Sequence, residues 1–213
     1  PGYRADVLIR WGDPVTADAP VFDPMAQSAE AQRKQFGYNN DFIGYVPLPM
    51  GSDNPNHGLL CINHEYTDEE VMFPGLGKYD SAHSKATREM VDIEMACNGG
   101  TIIEIKKVDG RWTIVPDSRY ARRINALDTE MRLTGPAAGH DRLRTKADPS
   151  GERVIGTLNN CAGGITPWGT YLMAEENFHY YFTGDLAGHP EQGNYARYGI
   201  PGNRFPWGRF HER

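Results

Sequence analysis

Two runs of strand-forming residues, Thr101-Ile-Ile-Glu-Ile-Lys-Lys-Val108 and Arg111-Trp-Thr-Ile-Val115, are separated by Asp109-Gly110 alone. A two-residue connection between antiparallel strands needs positive φ at its central positions, and Asp-Gly supplies this cheaply, so the pair dictates a β-hairpin. Leu, Ile, Val and Phe make up only 40 of the 213 residues, against 24 Gly and 15 Pro, so turns are frequent and aromatic packing must replace part of the aliphatic core. Tyr3–Trp11, Leu59–Tyr66, Val154–Leu158 and Trp168–Ala174 read as further strands. Met25–Phe36, closed by Gly37, and Ser81–Asn98, with Ala86, Met90, Ile93 and Cys97 at helical spacing before Gly99-Gly100, read as helices. Asn159–Pro167 reads as a connecting loop, and the last forty or so residues as irregular. The expected fold class is all-β with helical insertions. A β-propeller is one architecture that tolerates long decorated loops, although no period of about 40 residues is visible.

Several functions fall away on charge and patterning. No apolar run approaches the ~20 residues of a membrane helix, and no signal peptide precedes Pro1. With net charge -6 and a pI near 5.6, the basic footprint of a nucleic-acid binder is missing; the acidic clusters point to cations. Cys61, Cys97 and Cys161 match no compact zinc spacing and cannot form a complete disulfide set. The chain begins without Met and ends on Phe205-Pro-Trp-Gly-Arg-Phe-His-Glu-Arg213 with no polar taper, so a fragment is expected.

No phosphate-binding loop, dinucleotide fingerprint, nucleophile elbow, His-Glu-x-x-His or EF-hand pattern occurs, so any site is assembled from dispersed segments. Asn159-Asn160-Cys161-Ala162-Gly163-Gly164 joins two amides and a thiol to small residues that allow close approach. Glu175-Glu176-Asn177 follows a strand, and adjacent carboxylates repel unless a cation lies beside them; the amide oxygen of Asn177 adds a neutral donor. Oxygen donors suit calcium or iron, while a thiolate in the same cluster favours a transition metal. Glu65, in Asn63-His64-Glu65-Tyr66 at another strand end, is a further candidate ligand. Each has a structural reading as well: Cys161 as a small buried side chain, the glutamates and Asp68-Glu69-Glu70 as solvated acids, Asn39-Asn40-Asp41 as turn residues, and His140 as a structural histidine. Arg119, Arg122 and Arg123 read as a solvated strand face or an anion contact.

Tyr3–Asp13, Phe36-Gly-Tyr-Asn-Asn-Asp41, Asn63-His-Glu-Tyr66, Gly135-Pro-Ala-Ala-Gly-His140, Thr157–Gly164 and Thr166-Pro-Trp-Gly-Thr170 with Glu175-Glu-Asn-Phe178 resemble, in order, motifs of the PhoX family of bacterial alkaline phosphatases. The resemblance runs through nearly the whole chain. It implies a β-propeller enzyme hydrolysing phosphate monoesters with Fe3+ and Ca2+, of which residues 1–213 are the N-terminal part of one domain. It implies Cys161 as an iron ligand and Glu175, Glu176 and Glu65 as metal ligands, with metal-assisted phosphoryl transfer as the mechanism. PhoX-like proteins are much longer, and their C-terminal part supplies further ligands and a phosphate-gripping arginine, so this stretch alone is expected to be inactive. The family's usual export implies a periplasmic or secreted protein, with small phosphomonoesters as partners and neither nucleic acid nor membrane. Two alternatives stand: a calcium-dependent propeller binding or scaffold module without turnover, and a calcium-dependent propeller lactonase or phosphotriesterase, which gives the thiolate no role.

Overall fold

The computed structural model describes residues 2–78 and 83–212. At its centre is the hairpin of β3 (Gly99–Val108) and β4 (Arg111–Ile114), paired antiparallel with Val108 opposite Arg111. Asp109 and Gly110 hold φ of 49° and 78°, the left-handed pair that the sequence requires there. On the other side of β3 lies β2 (His57–His64), and beyond it β1 (Asn40–Pro47), giving the order β1-β2-β3-β4. The short β5 (Arg122–Ile124) pairs with the other end of β3. Two separate hairpins follow, β6 (Glu130–Arg132) with β7 (Arg153–Ile155) and β8 (Asn160–Ile165) with β9 (Tyr171–Glu175). Among the described residues the fold is β-rich and open, with short α-helices that include α1 (Ala29–Gln32), α2 (Glu69–Met72), α3 (Arg88–Cys97) and α4 (Gln192–Arg197), and residues 83–85 are helical as well.

The sheet is covered on both faces. Strand β2, with its near-continuous apolar run, sends Ile62 to one face, where it meets Phe36, Val15, Ile103 and Ile105, and Leu59 and Cys61 to the other, against Val46 and Leu48. A third cluster joins Val91, Met95, Ala96 and Cys97 of α3 to Met72, Tyr181, Phe205 and Trp207. Tyr181 stacks on Phe205 at a centroid distance of 4.5 Å and contacts Trp207 at 4.4 Å, so aromatic rings fill the space that the scarce aliphatic residues leave.

Several local expectations are corrected. Tyr3–Trp11 forms no strand; Leu8 and Ile9 pack on the Phe36 cluster and Trp11 Nε1 donates to Gln32 Oε1 at 2.9 Å, so β-formers without a partner edge remain loop. The helix expected over Met25–Phe36 contracts to Ala29–Gln32, capped by Ser28. Residues 34–36 instead hydrogen-bond back to residues 12–15, which draws them out of any helical path. Of the helix expected over Ser81–Asn98, Ser81 and Ala82 lie outside the described residues; α3 runs from Arg88, with Thr87 Oγ1 accepting from Met90 N at 3.2 Å. Val154–Leu158 shortens because Gly156 turns left-handed at φ 77°. The supposed loop Asn159–Pro167 is in large part strand β8. Its glycines lower strand propensity, but a Cβ on Gly163 would lie 2.5 Å from Phe42 Cδ1, so the ring of Phe42 needs glycine there.

Candidate metal centre

Both strands that deliver donor groups carry an extra residue. Along β1 the pairing passes from Asn40 opposite His64 to Ile43 opposite Ile62, and along β8 from Asn160 opposite Glu175 to Gly163 opposite Met173. Asp41 lies in the first irregularity and Cys161 in the second. A β-bulge leaves a residue unpaired and redirects its side chain. The two bulges face each other because β8 packs on β1, and Asn63 of β2 fastens the contact: its Nδ2 donates to Cys161 O at 2.9 Å and Ala162 O at 3.0 Å, while its Oδ1 accepts from Tyr171 OH. Glu65, one residue past β2, is held by its own N–H, which donates to Asn39 O at 3.0 Å.

The result is one donor atom each from Asp41, Glu65 and Cys161, all within 4.8 Å of one another. Cys161 Sγ donates to Asp41 Oδ2 at 2.9 Å. Glu176 lies near enough to raise the pKa of both Cys161 and Glu65, its backbone N–H donates to Asn159 O at 3.0 Å, and Asn177 Nδ2 donates to its Oε1 at 2.6 Å. Glu175 is engaged elsewhere: successive residues of a strand point to opposite sides, and its Oε1 accepts from Thr157 Oγ1 at 2.8 Å and Leu158 N at 3.0 Å. The structure therefore brings Cys161 and Glu65 of the expected ligands together with Asp41, places Glu176 beside them, and leaves Glu175 outside. The sequence signal for Asp41 is its place between an Asn-Asn pair and the strand-forming Phe42-Ile43, where a turn is the ordinary reading.

Three left-handed asparagines frame the group. Asn39, Asn159 and Asn177 have φ of 47°, 48° and 43°, a conformation that is sparse for residues with a Cβ and clusters at functional sites. Asn39 and Asn159 donate from Nδ2 to the two oxygens of Glu65, at 3.4 and 3.3 Å. Buried Asn159 is further tied down by Tyr181 OH, which donates to its Oδ1 at 3.0 Å, and by its own N–H donating to Asn98 Oδ1 at 3.2 Å.

Among the described residues, no Lys or Arg forms an ion pair with Asp41, Glu65, Glu176 or Cys161. The hydrogen bond to Asp41, then burial and the nearby Glu176, push the Cys161 thiol up to about 12. Burial, then Asp41 and Glu176, raise the Glu65 carboxyl as well. Both shifts favour the protonated forms of Cys161 and Glu65, and a bound cation would act in the opposite sense, favouring thiolate and carboxylate. Mixed thiol and carboxylate donors are of the kind that binds metal, and with Asp41 exposed and Glu65 and Cys161 half-buried the group is open to a ligand from solvent.

The arginines do not face this group. Arg123 is half-buried and spent on backbone carbonyls and the Thr101 hydroxyl, Arg119 lies over the ring of Tyr120 at 4.7 Å, and Arg122 Nε donates to Tyr120 O at 3.3 Å, so the picture of one solvated strand face is replaced by three separate roles. His140 Nδ1 accepts from Arg142 N at 3.1 Å, a local capping role. Asp68-Glu69-Glu70 is no simple surface turn, since Glu69 is 6% exposed.

Because the Asn159 side chain donates to Glu65 and accepts from Tyr181 OH, Asn159→Ala should cost the full-length protein about 10- to 100-fold in metal affinity or turnover with its overall fold kept. Metal titration with circular dichroism checks this; unchanged affinity and rate would show that the asparagine only shapes the loop.

Fold and site together define a β-rich protein with an open thiol and carboxylate donor group of the kind that binds metal. The family model described as alkaline phosphatase PhoX matches residues 1–213, and the chain belongs to that family. It is also similar to the structure of Pseudomonas fluorescens PhoX in complex with vanadate, a transition state analogue, at 39% identity and a TM-score of 0.85 over 99% of this chain. The chain spans 35% of the length of that protein. No curated protein matches the chain significantly.

Proposed function

We propose that the full-length protein hydrolyses phosphate monoesters at a centre of ferric iron and calcium, to which this chain contributes Cys161, Asp41, Glu65 and Glu176. The observation that carries the reading is the convergence of the Asp41, Glu65 and Cys161 donors within 4.8 Å, without a cationic side chain to neutralise them among the described residues. When bound, the cations supply Lewis-acid stabilisation of the phosphoryl oxygens and lower the pKa of a bound water. The chain's own residues do the rest: Cys161 and Asp41 yield the proton they share, Asn39 and Asn159 orient Glu65, and Asn177 orients Glu176. Vanadate in the P. fluorescens relative supports a phosphoryl-transfer site in a protein of this fold.

The consecutive antiparallel order β1-β2-β3-β4 within the five-stranded sheet is compatible with a propeller blade, and on this and the resemblance we infer that residues 1–213 are the N-terminal part of one propeller domain. Four donor side chains cannot satisfy several ions, so this stretch is inactive by itself. We place the protein in the periplasm, or secreted, as the resemblance implies; no helix among the described residues is long and apolar enough to cross a membrane.

In full-length protein a calcium chelator should abolish turnover of an aryl phosphate while the iron-thiolate colour persists. Calcium, but not magnesium, should restore the rate, because magnesium demands a tighter octahedron and releases water reluctantly. Full activity in excess chelator would rule out an exchangeable calcium. Calcium without iron and without turnover would establish the scaffold module, and thiol-independent lactone or triester hydrolysis the other enzyme.

A further inference from the structure

The charged group most poorly served by its surroundings lies away from the candidate centre. Glu94 of α3 is 0% exposed and Glu69, the first residue of α2, 6%, and both sit beside the cluster of Met72, Tyr181, Phe205 and Trp207. Trp207 Nε1 donates to Glu94 Oε2 at 2.8 Å. The other oxygen of Glu94, one oxygen of Glu69 and the hydroxyl of Thr67, itself 1% exposed, have no hydrogen-bond partner among the described residues. Asp68 is extended (φ -117°, ψ 97°), so Thr67 and Glu69 leave the chain on the same side, while Asp68 accepts from Tyr38 OH at 3.4 Å. The unpartnered hydroxyl is thus on the same side of the segment as Glu69, and Glu94 of α3 is close enough to Glu69 for the two to repel.

Burying unpaired carboxylates is costly, and buried charges are ordinarily paired or bound to metal. Here the neighbouring charges add to the cost. Glu69 and Glu94 repel each other, and Asp68 and Glu70 add to the repulsion at Glu69. Arg204 is the nearby cation, but it makes no ion pair with either glutamate among the described residues and spreads its guanidinium over Tyr180, Phe205 and Tyr66, at 5.0, 5.4 and 6.0 Å. Burial holds the Glu69 carboxyl up to about 7 and pushes Glu94 well above its usual range.

We propose that Thr67, Glu69 and Glu94 form a second, buried cation site that binds one calcium ion and ties the segment before α2 to α3. Every donor is oxygen, which disfavours soft metals, and the two carboxylates balance one divalent charge. The site's ion is structural, enclosed and slow to exchange.

The test uses full-length protein, with calcium and iron counted per chain by elemental analysis after gel filtration in metal-free buffer. Glu94→Gln and Glu69→Gln should each remove one calcium per chain while iron content and the thiolate absorption stay constant. Anomalous diffraction from unmodified crystals should place a calcium peak between the two carboxyl groups, which keeps the proposal testable if either variant fails to fold. Unchanged calcium in both variants, no anomalous peak, or an infrared carboxylic-acid band that Glu94→Gln removes would overturn it, the last showing a shared proton in place of the ion. Absent iron or turnover in unmodified protein would defeat the phosphatase reading and leave this count untouched.

Discussion

Changing Cys161 to Ala should bleach the full-length protein, strip most of its iron and lower aryl phosphatase turnover by more than the ~100-fold that loss of an outer-sphere contact costs. The colour is the specific readout, because thiolate bound to ferric iron absorbs visible light by charge transfer and calcium or zinc at the same place does not. Cys161 alone of the three cysteines lies beside carboxylates at a solvent-accessible bulge, with its Sγ 2.9 Å from Asp41 Oδ2. Cys61 and Cys97 are buried in β2 and at the end of α3, where burial raises both thiols, Cys61 to about 11. Cys61→Ala and Cys97→Ala should therefore change stability and leave the spectrum alone. The thiol of metal-free Cys161 stays protonated up to about 12, so iron uptake must release a proton and the apparent affinity must rise with pH. An unchanged spectrum and rate in Cys161→Ala would falsify the ligand role.

Arg123→Met should destabilise the protein by about 3 kcal/mol or more, since hydrogen bonds to charged groups contribute ~1.5–3 kcal/mol each. The guanidinium donates to Ala96 O and Gly100 O at 2.7 Å, to Thr101 Oγ1 at 2.9 Å, and more weakly to Asn98 O and Cys97 O at 3.3 and 3.4 Å. Its charge thus rests on the carbonyl end of α3 and on the first residues of β3, and it joins the helix to the sheet. Burial lowers its pKa to about 10, so it remains charged at neutral pH. Methionine fills similar volume but leaves several buried carbonyls without donors, and lysine restores the charge without the planar fork. Denaturant titration should rank wild type above Arg123→Lys and that above Arg123→Met. A midpoint shared by all three would show that water replaces the guanidinium at no cost.

What the sequence discloses depends on how local the deciding forces are. Asp109-Gly110 fixes its hairpin through φ angles alone, and the β2 run declares itself because apolar content and length agree. Tyr3–Trp11 carries the same kind of signal yet finds no edge to pair with, a fact of tertiary structure. The β8 strand is hidden by Gly163 and Gly164, and the need for the first arises from Phe42, about 120 residues away in sequence. Within the site, Cys161, Glu65 and Glu176 stand in segments whose chemistry is visible. Asp41 does not, because what makes it a donor is a bulge that only pairing with β2 creates. Glu175 and Glu176 are equivalent in composition and separated only by the alternation of a strand.

The facing bulges carry a consequence for how this site can be lost. Each inserts one residue into an otherwise continuous ladder, and the residue redirected is the donor itself. Loss of the single codon for Asp41, or for Cys161, would let the flanking pairs close into regular register without turning any later side chain to the wrong face. The backbone has more ladder bonds to gain from that deletion than from keeping the insertion. Selection on stability alone would therefore erode the centre one residue at a time and leave a sheet of the same order, so relatives that have shed the chemistry should be recognisable by length, one residue short in β1 or β8, before they are recognisable by composition.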